Sequence, residues 1–223
     1  MSVQRLHGDI LFKCHRASCG VRGRTGTNGH AAVTTAPTFQ PQRIAPEEPL
    51  SKRVSQLPML DSEILHEQLG MAKGRVLFPV TSHTGALLGH VARRYSWLSN
   101  VAGPKSLNYI ESNEYPWLHF PYACRMNLAD EVVLVEDCLS AIVVSRLRPC
   151  VSMMGTHLTM EAVQYLLDIG ITKVRIALDA DATAQAVKLR DKWDLYFAEC
   201  SVIILQKDAK DMNGDELQEV FTC

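Results

Sequence analysis

The sequence contains no uninterrupted apolar stretch approaching ~18 residues, which excludes a helical membrane span. Met1 to Asp9 carries charge without an apolar core, so no secretory signal is visible and the cytoplasm is the expected compartment. No Gly-x-x-x-x-Gly-Lys-Ser/Thr loop occurs, so the chain is not itself an NTP-driven motor. No internal repeat is evident, and no Cys-x-x-Cys precedes the one close cysteine pair, Cys14 and Cys19. Net charge is also nearly missing, at -1 over 223 residues. That near-zero sum hides an asymmetry: residues 1–130 hold 14 Lys+Arg against 9 Asp+Glu (+5), and 131–223 hold 9 against 15 (-6). A basic first part joined to an acidic last part suits a protein that holds polyanions and also collects cations.

What is present is a globular composition, 47% hydrophobic and 21% charged. Of the seven cysteines, Cys124, Cys138, Cys150 and Cys200 sit singly in apolar or strand-like surroundings and read as reduced, small hydrophobic side chains. Four zones follow. Residues 1–23 form a short cysteine-bearing segment. Residues 24–58 hold half the prolines of the chain, Pro37, Pro41, Pro46, Pro49 and Pro58, and read as a semi-extended linker in which helix and sheet ladders are blocked. Residues 59–130 read as a basic α+β subdomain, with a helix over 60–69 and a hairpin whose strands, 75–80 and 86–92, flank Ser82-His83-Thr84-Gly85. From Glu131 onward, apolar runs at 132–135, 150–154, 174–178 and 202–205 alternate with helical stretches at 137–147, 158–169 and 182–198. That alternation indicates buried parallel strands with crossover helices, a doubly wound α/β domain.

In such sheets functional groups gather past the carboxyl ends of the strands. Three strand ends carry acids there: Glu136-Asp137, Asp179-Ala180-Asp181, and Asp208 after Lys207. If strand geometry continues through the Asp-Ala-Asp triplet, its two side chains share a side. Glu136, Asp179, Asp181 and Asp208 would then converge, and carboxylates packed that closely call for hard divalent cations, Mg2+ (or Mn2+) fitting best. The alternative for Asp179 or Asp181 is a helix N-cap. Asp211 is a marginal further candidate.

The apolar strand ending in Glu136, the turn at Gly155 and the Ile-Ala-Leu-Asp179-Ala-Asp181 run resemble the Toprim domain of primases, topoisomerases, some nucleases and recombination mediators. Two departures stand out: that family usually has Gly after the glutamate and Asp four residues after it, and this chain has Asp137 and Ser140. Upstream, Phe78-Pro79, then Gly85, Gly89 and Arg93, then Pro104-Lys105-Ser106-Leu107-Asn108 look like the basic core of bacterial-type and phage-type DNA primases, and Lys207-Asp208-Ala209 is similar to their lysine-aspartate motif. Residues 11–23, with Cys14 and Cys19, are similar to the second knuckle of a primase zinc ribbon, a half ribbon in which only His7, His15 and His30 are further donors.

The resemblance implies a Toprim-type, doubly wound, mostly parallel sheet preceded by a basic α+β subdomain and a partial zinc ribbon. It implies primer synthesis on single-stranded DNA from ribonucleoside triphosphates, in a bacterial or phage-infected cell, with a separate replicative helicase as partner. It assigns Glu136, Asp179 and Asp181 to catalysis, adds Asp208 to them as Mg2+ ligands, gives Cys14 and Cys19 to an incomplete zinc site, and gives Arg93, Lys105 and Asn108 to template or nucleotide. Arg94 shares that work, unless Arg93-Arg94 is simply a solvated strand edge. Trp97, Tyr109 and Tyr115 are either stacking platforms or core. His83, His90, His119 and His157 are expected to be structural. Competing readings are a Toprim nuclease, a non-catalytic DNA-binding recombination mediator and a receiver-type domain.

Overall fold

The structure, a computed structural model, describes residues 2–6, 9–13, 22–25, 43–49, 69–95 and 103–222. Cys14, Cys19, His7, His15, His30, Trp97, most of the 24–58 segment and nearly all of the helix expected over 60–69 lie outside them. The chain divides into two compact units, 1–40 and 41–223. In the first, β1 (Ser2–Leu6), β2 (Asp9–Lys13) and β3 (Arg22–Thr25) form a three-stranded antiparallel sheet.

The second unit opens with a five-stranded sheet: β4 (Glu48–Pro49), β5 (Gly70–Ala72), β6 (Arg75–Thr81), β7 (Leu87–Arg93) and β8 (Ser106–Ile110). All its pairings are antiparallel and in chain order. The expected hairpin is β6–β7. Against the expectation for the proline-rich segment, Glu48–Pro49 joins the ladder; it does so as an edge strand, where a missing N–H costs nothing. Gly89 has φ of +147°, and a Cβ there would stand 2.0 Å from the Tyr109 carbonyl oxygen, so β7 approaches β8 as closely as it does only because this residue is glycine.

A short helix, α1 (Tyr122–Met126), leads into the parallel sheet: β9 (Glu131–Val135), α2 (Cys138–Val144), β10 (Cys150–Ser152), α3 (Met160–Asp168), β11 (Lys173–Ala177), α4 (Thr183–Trp193), β12 (Glu199–Val202) and α5 (Gly214–Thr222). Strand order is β10-β9-β11-β12, all parallel. Alternation explains the unbroken Val132–Val135 run: Val133 and Val135 pack with α2, α5 and the antiparallel sheet, while Val132 and Leu134 pack with α3 and α4. Both faces are covered, so no polar position is left within the 132–135 run.

Several boundaries differ from the sequence expectation: α2 ends at Val144 rather than near 147, β10 at Ser152 rather than 154, and two differences matter more. The last strand is Glu199–Val202 rather than 202–205, because its ladder with β11 runs from Lys173↔Glu199 to Ile176↔Val202 and then ends. α4 stops at Trp193 rather than near 198; Leu195 beyond it is 93% exposed. The four cysteines 124, 138, 150 and 200 are buried thiols outside any disulfide, as expected of small hydrophobic side chains.

The two sheets of this unit meet through one core that contains Val76, Phe78, Val80, Leu88 and Val91 together with α2. A second junction is polar. His119 pairs with Ser152 in an isolated antiparallel bridge at the edge of the parallel sheet, and its Nδ1 accepts a hydrogen bond from the Thr81 N–H of β6 at 3.3 Å. Among the described residues no helix is long and apolar enough to cross a membrane.

Candidate active site

Strand order β10-β9-β11 means that the connections leaving β9 and entering β11 run to opposite sides, so the topological switch point lies at the carboxyl ends of β9 and β11. Glu136 and Asp137 follow β9 directly. Asp137 is the N-cap of α2, its Oδ1 accepting the Ser140 N–H at 2.9 Å. Asp179 follows β11 and opens a 3-10 turn, Ala180–Ala182, to which it gives no side-chain cap. Residue 182, the N-cap of α4, is an alanine, so neither Asp179 nor Asp181 is spent as a helix cap. Strand geometry does not continue through the triplet, however. Asp181 lies in the 3-10 turn and is exposed, so the period-two argument for placing it beside Asp179 does not hold. Asp208 opens a second 3-10 turn, Ala209–Asp211.

These strand ends converge on a cation that belongs to the chain. Lys210 Nζ stands 2.7 Å from Asp208 Oδ2, 3.0 Å from Asp179 Oδ2 and 3.0 Å from Asp137 Oδ2, with its side chain only 9% exposed. Neighbouring Lys207 turns away to Glu216 at 2.6 Å. Sequence reasoning misses Lys210 as a site residue, and it places Asp137 at a strand end and as a departure from a motif but not among the converging acids. The available signals are an acid directly before an apolar helix, the N-cap position, and a lysine two residues beyond Asp208.

The electrostatics divide these acids. Burial raises the Asp137 carboxyl, but Lys210, Arg93 and the Ser140 N–H outweigh it and leave it below its ordinary range. Asp208 is likewise lowered: burial opposes, and Lys210 with hydrogen bonds from Asp179 and the Ala180 backbone prevails. Asp179 goes up, since burial together with Asp137 and Asp208 outweighs Lys210. Glu136 is also raised, by burial first and then by Asp179 and Asp137. Lys210 itself is raised, the three carboxylates overcoming its burial.

The antiparallel sheet delivers its own cation to this edge. Arg93, at the end of β7, places Nη1 3.2 Å from Asp137 Oδ2 and lies 5.6 Å from the centroid of the Tyr95 ring. It is thus a paired, mostly buried group rather than a solvated strand edge. The register Arg93↔Ser106 and Val91↔Asn108 puts Asn108 on the face of the sheet that carries Arg93. Asn108 and Lys105 are both exposed. The Pro104-Lys105 segment is held from below by Arg75, a residue that sequence reasoning passes over: it is 4% exposed, and its Nη1 donates to the Pro104 carbonyl at 2.9 Å. Arg94 joins the same segment through its backbone N–H, which donates to the Lys105 carbonyl at 2.8 Å.

Tyr109 packs against the cluster of Ile44, Leu77 and Ala92. Tyr115 belongs to a group with His83, Tyr165 and the fully buried Phe120 in which contacting ring centroids lie 5.5–6.3 Å apart. His119 is fully buried and its pKa is pushed down to about 3, by burial first and by Arg125 second.

The donor chemistry at this edge suits a hard cation only in part. Among the described residues, no group of three or more His, Cys, Asp or Glu side chains could hold a metal ion. The three carboxylates that do come together close on Lys210. Glu136, by contrast, has no cation hydrogen-bonded to its carboxylate among the described residues, and Asp179 and Asp181 act on it electrostatically.

No family model matches the sequence, and no curated protein matches it. Solved structures do. The fold is similar to the Aquifex aeolicus primase (zinc-binding and RNA polymerase domains), at 23% identity and a TM-score of 0.54 over 71% of this chain and 44% of that one. It is similar to the E. coli primase catalytic core at 18% identity and TM-score 0.54, over 77% of this chain and 62% of that one. It is also similar to a DnaG primase catalytic domain bound to single-stranded DNA at 20% identity and TM-score 0.55, over 78% and 61%. The chain therefore has the mixed α/β fold of the DnaG-type primase catalytic core, with its Toprim-type parallel sheet, and spans about half the length of the first primase structures it matches.

Proposed function

We propose that this chain is a DNA primase that synthesises short RNA primers on single-stranded DNA from ribonucleoside triphosphates. The observation that carries the reading is the gathering of Glu136, Asp137, Asp179 and Asp208 at the switch point of a primase-core fold, with Arg93 reaching the same edge from the antiparallel sheet. One of the similar primase structures is bound to single-stranded DNA and others to duplex DNA, which supports a DNA template as the partner.

In this reading Glu136, with Asp179, would hold Mg2+ or Mn2+, while Asp208 is engaged by Lys210 and Asp181 stands exposed in its 3-10 turn. Such an ion would supply a lowered pKa at the primer 3′-hydroxyl and charge neutralisation at the nucleotide phosphates. The remaining work falls to the chain itself. Glu136, whose pKa is raised, is the proton acceptor for the attacking hydroxyl. Lys105 and Asn108, exposed on the rim of the antiparallel sheet, bind template or nucleotide, and Arg75 positions them through Pro104. Arg93 orients Asp137 and adds positive potential where phosphates approach. Residues 1–23 form a partial zinc ribbon in which Cys14 and Cys19 would be zinc ligands, 24–58 a linker that lends Glu48–Pro49 to the antiparallel sheet, 59–130 the basic subdomain and 131–223 the catalytic domain. The setting is the cytoplasm of a bacterial or phage-infected cell, with a separate replicative helicase as partner.

The test incubates the whole chain with single-stranded DNA, labelled ribonucleotides and Mg2+, beside Glu136→Gln and Asp179→Ala. Labelled oligoribonucleotides from wild type, reduced at least about 100-fold in Glu136→Gln, are the expected result. Degraded template would favour a nuclease. A second reading, DNA binding without chemistry, is favoured by Ser140 at the second-acid position and by Lys210 closing three carboxylates; binding without any product would establish it.

A further inference from the structure

We propose that the Lys210 ammonium is a built-in counter-cation: it fills the position among Asp137, Asp179 and Asp208 that a divalent ion would otherwise take, and so confines metal uptake to the Glu136 side of the acidic edge. The inference rests on the primase reading for the Glu136 ion. For the lysine it rests on geometry alone. Three carboxylate oxygens, from the segments that follow β9, β11 and β12, surround one nitrogen at 2.7–3.0 Å. Hard divalent ions take carboxylate oxygens from the same directions at ~2.0–2.6 Å. A lysine side chain 9% exposed is not a solvated surface group that happens to drift near acids.

The local backbone commits it to this place. Asp208 opens the 3-10 turn Ala209–Asp211, in which the Asp211 N–H donates to the Asp208 carbonyl at 2.9 Å, and Ala209 is 1% exposed. Such a tight turn carries the side chain two residues on back toward the carboxylate that opens it. Lys207, which precedes Asp208, is engaged elsewhere by Glu216. Arg93 closes the outer side of the same group by its bond to Asp137, so the chain supplies two cations where four acids, Glu136, Asp137, Asp179 and Asp208, come together. Charge is compensated on the Asp137–Asp208 side without a metal. On the Glu136 side it is not, and there an external cation still gains by binding.

The consequence is a difference in metal stoichiometry at one sheet edge. Mn2+ binding to the whole chain is counted by electron paramagnetic resonance for wild type, Lys210→Gln, Lys210→Arg, and the double variant Lys210→Gln with Glu136→Gln. Lys210→Gln should bind one more Mn2+ per chain than wild type, and Lys210→Arg should match wild type. The double variant should keep the added ion and lose the Glu136 ion. Equal stoichiometry in wild type and folded Lys210→Gln overturns the proposal. If wild type binds no ion and Lys210→Gln binds one, the counter-cation stands while the metal part of the primase reading falls. Should Lys210→Gln fold only when Mn2+ is present, its melting temperature rising with metal, that supports the proposal. A variant that stays unfolded at saturating Mn2+ overturns it, because a divalent ion at those carboxylates must be able to replace the ammonium.

Discussion

In the parallel sheet Glu136, Asp137 and Asp179 emerge just past a strand's carboxyl end and Asp208 from a turn further along the chain after β12, whereas in the antiparallel sheet the group that reaches the site, Arg93, belongs to a strand. The first arrangement follows from topology: parallel strands buried on both faces can offer polar groups only beyond their ends. The second depends on register, because a one-residue slip of β7 would turn Arg93 to the opposite face. The parallel sheet thus builds its site from turns and caps, and the antiparallel sheet builds its share from close pairing. Substitutions at matched positions in the two sheets measure that difference.

The largest effect is expected at Gly89. Gly89→Ala combines backbone strain at φ +147° with a Cβ 2.0 Å from the Tyr109 carbonyl, and should cost at least about 3 kcal/mol in urea unfolding. Gly155, in the turn after β10, has a similar φ of +141°, and a Cβ added there would meet nothing within 4 Å, so Gly155→Ala should cost about 1 kcal/mol, the backbone component alone. Equal costs would show that pairing of β7 with β8 is not the constraint.

Two N-caps in the parallel sheet make the next comparison. Thr159 caps α3, its side chain accepting from the Ala162 N–H at 3.2 Å, and Thr159→Ala should cost about 1 kcal/mol. Asp137 caps α2 in the same way but also holds Lys210 and Arg93, and its side chain is 24% exposed. Asp137→Ala should therefore cost about 3 kcal/mol, the lower end of the range for breaking a buried ion pair. The excess over Thr159→Ala, read by denaturant titration, is what the Lys210 and Arg93 pairs together add at this carboxylate.

Legibility in the sequence follows the same division. Val132–Val135 reads directly as a buried strand because both its faces are covered, and the acids after β9 and β11 are found by the strand-end rule. The rule fails at β12, an edge strand paired on one side only: its Glu-Cys-Ser-Val sequence looks polar, while the apolar 203–205 run has left the ladder, with Leu205 in the core and Ile204 63% exposed. Asp181 is misplaced by the strand-end rule because a 3-10 turn, set by backbone geometry, replaces the strand after Ala177. Lys210 escapes notice because a search for metal chemistry looks for acids, and a lysine declares its role only when three chain ends meet around it. Arg75 escapes for a similar reason, since its carbonyl partner lies 29 residues away.

His119 joins the two sheets, and its expected effect is the smallest of the leading costs because it depends on pH. The ring accepts the Thr81 N–H and is kept neutral with a pKa of about 3 against 6.5 when unfolded, by burial and then by the Arg125 guanidinium, whose Nη1 donates to Thr81 Oγ1 at 2.6 Å. Below 6.5 the unfolded chain binds a proton here that the folded chain refuses, so stability present above 6.5 is lost as pH falls toward about 3. Asp137 and Asp208, held low by Lys210, lose their share in the same direction but only below their ordinary unfolded range near about 4. Between about pH 6.5 and about pH 5 His119 contributes a loss of about 2 kcal/mol, against which the raised carboxyls of Glu136 and Asp179 favour the folded state as pH falls. His119→Gln, which keeps an acceptor for Thr81 without a proton to gain, should remove that loss from the unfolding free energy over that window. A slope unchanged in the variant would mean that the junction between the sheets is not where the proton is refused.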